Sequence, residues 1–269
     1  MKIFDPLFTE PPDRLEDYAD FVAIVRQLRR DCPWDREQTH ESVKHLLIEE
    51  AYETIEAIDE RNWDELRKEL GDILLHVVFH SAIAEQEGEF TLQDVIRGET
   101  EKLVRRHPHV FGDTTVDGVC EVLSNWERIK LKEGEKRSAL QGVPAQLPAL
   151  LRAQRIQEKA AGVGFDFPEK SGAWSKVEEE VGELRRTMES AASPEEREHE
   201  FGDLLFALVN YARFIDVVPE NALRRTNDRF ARRFQYIEAR LADEGRTMAE
   251  ATLEEMDAHW DEAKRLERE

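Results

Sequence analysis

Chain breakers are scarce here. Of 269 residues, 13 are glycine and 10 are proline, which leaves little material for the many tight turns of a β-rich fold. Cysteine is scarcer. Cys32 and Cys120 form no CxxC pair and no metal-type spacing, so a disulfide framework and a thiolate metal site are both excluded, and two free thiols fit a reducing compartment. Long apolar runs are missing too. The most apolar stretches, residues 74–79 and 204–209, fall far short of the roughly 18–20 residues that span a bilayer. Positive charge is in deficit: 38 Lys and Arg face 59 Asp and Glu, a net charge of -21. Such a chain repels polynucleotides and anionic lipid at long range, so neither is expected as a partner. Met1-Lys2-Ile3-Phe4-Asp5 carries no apolar targeting core, and a cytoplasmic location is expected.

What is present is helical periodicity, built from Glu, Leu, Ala and Arg. The expected fold class is all-α. Helices are expected over about residues 13–30, 40–59, 63–85, from Thr91 onward and over 116–132, with Gly88 as a C-cap. Cys32-Pro33-Trp34-Asp35 reads as a turn. Residues 135–148 are richer in Gly, Pro, Ser and Gln and read as a linker. Beyond it, helices are expected near 149–161, 172–190, 194–217, 219–242 and 248–268.

The second half repeats the first. Trp34-Asp35 is answered by Phe165-Asp166. Glu49-Glu50-Ala51-Tyr52-Glu53 is answered by Glu179-Glu180-Val181-Gly182-Glu183. Glu69-Leu70-Gly71-Asp72 is answered by Glu200-Phe201-Gly202-Asp203. Lys102 and Arg106 correspond to Arg229 and Arg233; Trp126 and Lys130 correspond to Trp260 and Lys264. The expected organisation is a tandem repeat of two modules of four to five helices, over 1–134 and 149–269.

Glu50 and Glu53 lie one helical turn apart on one face, as do Glu69 and Asp72 on the next helix. Two antiparallel helices bring four such carboxylates together, and an unpaired cluster repels itself. A divalent cation removes that cost, and all-oxygen donors favour Mg²⁺, with Mn²⁺ as a substitute. The second copy offers Glu180, Glu183, Glu200 and Asp203. In so acidic a chain an isolated ExxE is ordinarily a solvated face. Both copies, however, keep the whole pattern at nearly equal separation, 69 − 53 = 16 and 200 − 183 = 17. Gly71 and Gly202 are expected to let helices approach closely. Arg229 and Arg233 share a helix face and suit phosphate oxygens. Trp260 with Lys264, and Trp126 with Lys130, offer a ring and an ammonium one turn apart; a tryptophan packed on the core is the competing reading. His76 and His80 correspond to Ala207 and Tyr211, so they read as buried or interface histidines. Asp rather than His three residues after Glu69 and Glu200 disfavours di-iron chemistry.

Together these residues resemble the MazG family of nucleoside triphosphate pyrophosphohydrolases over nearly the whole chain. The signatures are Cys32-Pro33-Trp34-Asp35, His107-Pro108-His109-Val110-Phe111-Gly112, Leu140-Gln141-Gly142-Val143-Pro144, Val163-Gly164-Phe165-Asp166-Phe167 and the duplicated EExxE…ExxD. The resemblance implies Mg²⁺-dependent hydrolysis of nucleoside triphosphates, over a broad range, to monophosphate and pyrophosphate. It implies a homodimer and a C-terminal module that does most of the work. There Glu180, Glu183, Glu200 and Asp203 would hold metal; a carboxylate not fully used in ligation, Glu179 or Glu180, is the candidate base. Lys176, Val177, Glu178, Glu179, Arg229, Arg233, Trp260 and Lys264 would contact the nucleotide, as would Lys102, Arg106, Trp126 and Lys130 in the first copy. Two other expectations stay open. One is a narrow pyrophosphohydrolase of the dUTP or phosphoribosyl-ATP type. The other is a low-turnover nucleotide-binding regulator with a protein partner.

Overall fold

A computed structural model of the chain describes residues 17–118, 121, 122, 125, 126, 129, 138–190 and 192–267. It divides into one unit over Met1–Lys130 and a second over Leu131–Glu269. The described residues are helical, without strands. None of their helices is long and apolar enough to cross a membrane.

In the first unit, α1 (Tyr18–Asp31) starts where Asp17 accepts from the Ala19 N–H at 2.7 Å. The expected turn at Cys32-Pro33-Trp34-Asp35 is instead a short helix, α2 (Pro33–Glu37), because Pro33 sits at a helix's first turn, where its missing N–H costs nothing. α3 (His40–Glu60) opens on a Thr39–Ser42 capping box. Arg61 in the left-handed region and Asn62, which caps the next helix, turn the chain directly into α4 (Trp63–Glu87). Gly88, at φ 80°, closes α4 as expected. α5 (Leu92–Arg106) starts on a Thr91–Asp94 box, and α6 (Pro108–Phe111) follows. The helix expected over 116–132 lies largely outside the described residues, as does Cys120. Val22 and Val25 of α1, Val43 of α3, Val78, Phe79 and Ile83 of α4 and Leu92 form the core. α3 packs along α4, which sets the two carboxylate pairs face to face.

The second unit holds α7 (Ala149–Ala161), α8 (Lys170–Glu189), α9 (Pro194–Arg213), α10 (Pro219–Asp243) and α11 (Leu253–Leu266). Ser193, Pro194 and Glu196 make a capping box with proline at the first turn, so α9 begins sharply after α8 ends. α8 packs on α9, and Gln157 of α7 donates to the Phe206 carbonyl at 2.8 Å, seating α7 on α9. The single helix expected over 248–268 is broken. Thr247 boxes with Glu250, Ala251 is extended, and Thr252 starts α11 with its own box to Glu255. Two consecutive cap signals override the apolar periodicity. The helix expected to reach 217 stops at Arg213, before Asp216 at φ 55°.

Candidate functional site

On α8 the buried stripe runs Ala173, Val177, Glu180, the i, i+4, i+7 face turned to α9. A carboxylate thus occupies a core position, only 4% exposed. α9 answers with Glu200 and Asp203. One oxygen from each of Glu180, Glu200 and Asp203 lies within 4.8 Å of the others, and Glu179, Glu180 and Glu183 form an overlapping set of the same size. Of the four ligands expected to converge, Glu180, Glu200 and Asp203 therefore meet, while Glu183 joins Glu180 only in the second set, beside Glu179. Glu183 is turned to Arg186 at 2.8 Å.

Lys176 Nζ lies 2.7 Å from Glu180 Oε1 and 2.9 Å from Glu179 Oε1. These carboxylates hold the Lys176 ammonium above its ordinary range. The other oxygens, Glu180 Oε2 and Glu200 Oε2, are buried with no hydrogen-bond partner. Orphaned carboxylate oxygens inside a protein are costly, and a hard cation is the partner that satisfies them. The donor set of carboxylate oxygens fits Mg²⁺ or Mn²⁺. His199 Nδ1 stands 3.1 Å from Asp203 Oδ2.

The first unit brings Glu50, Glu53 and Glu69 within 4.8 Å of one another. Burial, then the neighbouring Glu53 and Glu50, push the Glu69 carboxyl up to about 7. Asp72 is outside this trio but lines, with Glu50, a cleft of about 180 Å³ that also includes Trp34, His76 and Phe79. Leu46, four residues before Glu50, stands where the second unit has Lys176. His76 is buried, and His80 Nδ1 lies 2.7 Å from His40 Nδ1 with the two rings stacked.

The basic and aromatic candidates gather on a different helix pair from the carboxylates. Arg233 of α10 and Lys264 of α11 lie 5.3 and 6.0 Å from the Trp260 ring, and Phe230 packs against it at 5.2 Å. Arg233 Nε donates to Glu267 at 2.9 Å and Lys264 lies 3.2 Å from Asp261. Arg229 donates to Thr226 Oγ1 at 2.9 Å. In the first unit Arg106 lies 5.9 Å from the Trp126 ring and Lys102 pairs with Glu99; Lys130 is outside the described residues. The stretch Lys176, Val177, Glu178, Glu179 does not present one surface. Val177 is buried, Glu178 accepts from the Trp174 indole at 3.0 Å, and only Lys176 and Glu179 meet the carboxylates.

A Cβ built at Gly71 or Gly202 would meet nothing within 4 Å. The close approach expected there is absent: both glycines face open space.

The sequence reading missed a cleft of about 570 Å³ in the second unit, lined by Phe165, Phe167, Phe206, Asn210 and Arg213 among others. The repeat had marked Phe165-Asp166 as a counterpart of Trp34-Asp35, but only the fold shows both pairs lining a cleft beside α9 or α4. Lys176–Glu180 was also missed, although the i, i+4 spacing was its signal.

Residues 38–111 match the model of the MazG nucleotide pyrophosphohydrolase domain. The chain is 48% identical over 251 residues to the nucleoside triphosphate pyrophosphohydrolase/pyrophosphatase MazG of Thermotoga maritima, spanning 92% of this chain and 95% of that one. It is 42% identical over 253 residues to the nucleoside triphosphate pyrophosphohydrolase of Escherichia coli K12, spanning 91% and 96%. An uncharacterized Bacillus subtilis protein, YabN, is 48% identical over 270 residues, which is 99% of this chain and 55% of that protein.

Proposed function

The chain belongs to the MazG family, and we propose that it hydrolyses nucleoside triphosphates of broad base range to monophosphate and pyrophosphate, with Mg²⁺, chiefly through its second unit. One observation carries the reading: Glu180, Glu200 and Asp203 meet across α8 and α9 with two buried carboxylate oxygens left unpartnered. Bound there, Mg²⁺ would supply a Lewis acid that activates water and offsets phosphate charge. Glu180, Glu200 and Asp203 would hold it, and Glu183, which shares Glu180 through the overlapping set, would be the fourth ligand. Glu179 is exposed and belongs to the overlapping set, and it would take the proton of the attacking water. Arg229, Arg233 and Lys264 draw on the triphosphate's charge, and Trp260 gives a face for base or ribose. In a chain of net charge -21, these cations would draw an anionic substrate by exchanging their present carboxylate partners, Glu267 for Arg233 and Asp261 for Lys264, for phosphate oxygens.

Leu223, Phe230 and Phe234 share one face of α10 and are 50, 57 and 38% exposed. In this reading a second copy of the chain covers that face as a homodimer. The first unit is a slower or binding-only site, because Leu46 replaces the lysine beside its carboxylates.

The test is pyrophosphate release from mixed nucleoside triphosphates with and without Mg²⁺. Turnover that needs Mg²⁺ and collapses in Glu183→Ala and Asp203→Ala supports the reading. Full turnover in either variant removes the assignment to the second unit.

A further inference from the structure

Lys176 sits at the mouth of the second unit's carboxylate cluster as a cation already in place. Its ammonium bridges Glu179 and Glu180, and Glu180 is the carboxylate common to both triads. The contact satisfies only one oxygen of Glu180. The other, Oε2, stays buried and unpartnered in a residue 4% exposed, as does Glu200 Oε2 across the helix pair. The lysine is thus an incomplete counter-ion: a point charge reaching α8's carboxylates along their own helix. Its side chain is 41% exposed while that of Glu180 is 6% exposed. A long flexible stem with an exposed head can swing away into solvent at little cost. The first unit is a natural comparison, because Leu46 at the same place relative to Glu50 carries no charge.

We infer that Lys176 is a resident counter-ion of the second site, displaced when a divalent cation binds; the nucleotide contact that the family resemblance implies for Lys176 would then be made by the released ammonium. The inference rests on the proposed role of Glu180, Glu200 and Asp203 as Mg²⁺ ligands. It makes metal and nucleotide uptake mutually supportive. Without nucleotide, a cation must expel Lys176 from Glu180 into water. With nucleotide present, the expelled ammonium gains a phosphate partner, and by linkage each ligand favours the other.

The experiment measures Mn²⁺ binding to the full chain by the electron paramagnetic resonance of free Mn²⁺. Glu50, Glu53 and Glu69 are replaced by glutamine so that the second site alone is read. Lys176→Met is expected to bind Mn²⁺ roughly threefold to tenfold more tightly than the parent, the worth of a partly exposed ion pair removed from competition. Lys176→Arg stays within about twofold of the parent, since the charge is kept. Lys170→Met, the same charge loss about two turns earlier on α8, tightens binding by less than about twofold, because an exposed charge at that distance is screened. Equal affinity in parent and Lys176→Met, or equal tightening in Lys170→Met, overturns the displacement. Mn²⁺ binding to neither parent nor Lys176→Met overturns the metal reading itself, and the two failures are thereby told apart. Tighter binding in a variant also cannot arise from misfolding.

Discussion

Arg213, the last residue of α9, reaches back 47 residues to Asp166, with its Nη2 2.6 Å from Asp166 Oδ2 and its Nη1 3.4 Å from Oδ1. The arginine side chain is 14% exposed and the aspartate 26%. The pair pins the loop before α8 to the end of α9 and closes one side of the second unit's cleft. Arg213→Met leaves Asp166 half-buried and uncompensated. The expected loss is about 1–3 kcal/mol of second-unit stability, read in a denaturant titration. An unchanged midpoint would show the pair to be ornamental.

Trp260 is flanked by two cations and an aromatic ring. Trp260→Ala is expected to raise KM for nucleoside triphosphates by roughly tenfold with kcat within a few fold, as the loss of a stacking surface would do. Trp260→Phe recovers most of the affinity. A fall in kcat at unchanged KM would place Trp260 in the chemistry or the fold instead.

The two units should answer differently to loss of a carboxylate. Glu53→Ala in the first unit is expected to leave pyrophosphate release within about threefold of the parent, whereas Glu180→Gln in the second lowers it by at least about 100-fold. Comparable losses from the two substitutions would mean that the units share the work.

Glu69 gives a pH signature. Its carboxyl is held up to about 7 by burial and by Glu53 and Glu50. The folded first unit therefore binds a proton that the unfolded chain has already released. Its stability falls as pH rises from the ordinary glutamate range to about 7, and levels off above that. In chelator, thermal unfolding across that range should show this decline. Glu69→Gln should flatten it, and a decline that survives the substitution rules out Glu69 as its source.

Gly202 lies mid-helix with open space where a Cβ would go. Gly202→Ala is therefore expected to stabilise the isolated chain by roughly 0.5–1 kcal/mol through helix propensity alone. A destabilised or dissociated protein would show that another chain closes on that face.

Much of the helical framework was legible because its signals are local. Thr39, Asn62, Thr91 and Ser193 each cap a helix where a short polar side chain precedes an apolar period, and Gly88 closes one. The break at Ala251 was missed because its two capping boxes compete with a periodicity that runs on through them. The carboxylate pattern was legible because residues three apart on a helix must share a face.

The sequence by itself determined that this chain is all-α, that it carries the acidic pattern twice and that each pattern lies on one face of successive helices. Backbone periodicity is sufficient for each of these. Which carboxylates meet, which one is buried and what stands beside it were decided by tertiary structure. Packing of α8 against α9 buries Glu180 and sets it against Glu200 and Asp203, while Glu183 turns to Arg186. Lys176 meets Glu180 through i, i+4 spacing on α8 itself, where the first unit has Leu46, but that the carboxylate it meets is a buried one follows from the packing. Opposed faces and side-chain rotamers depend on the neighbouring helix, and a one-dimensional pattern carries no record of them.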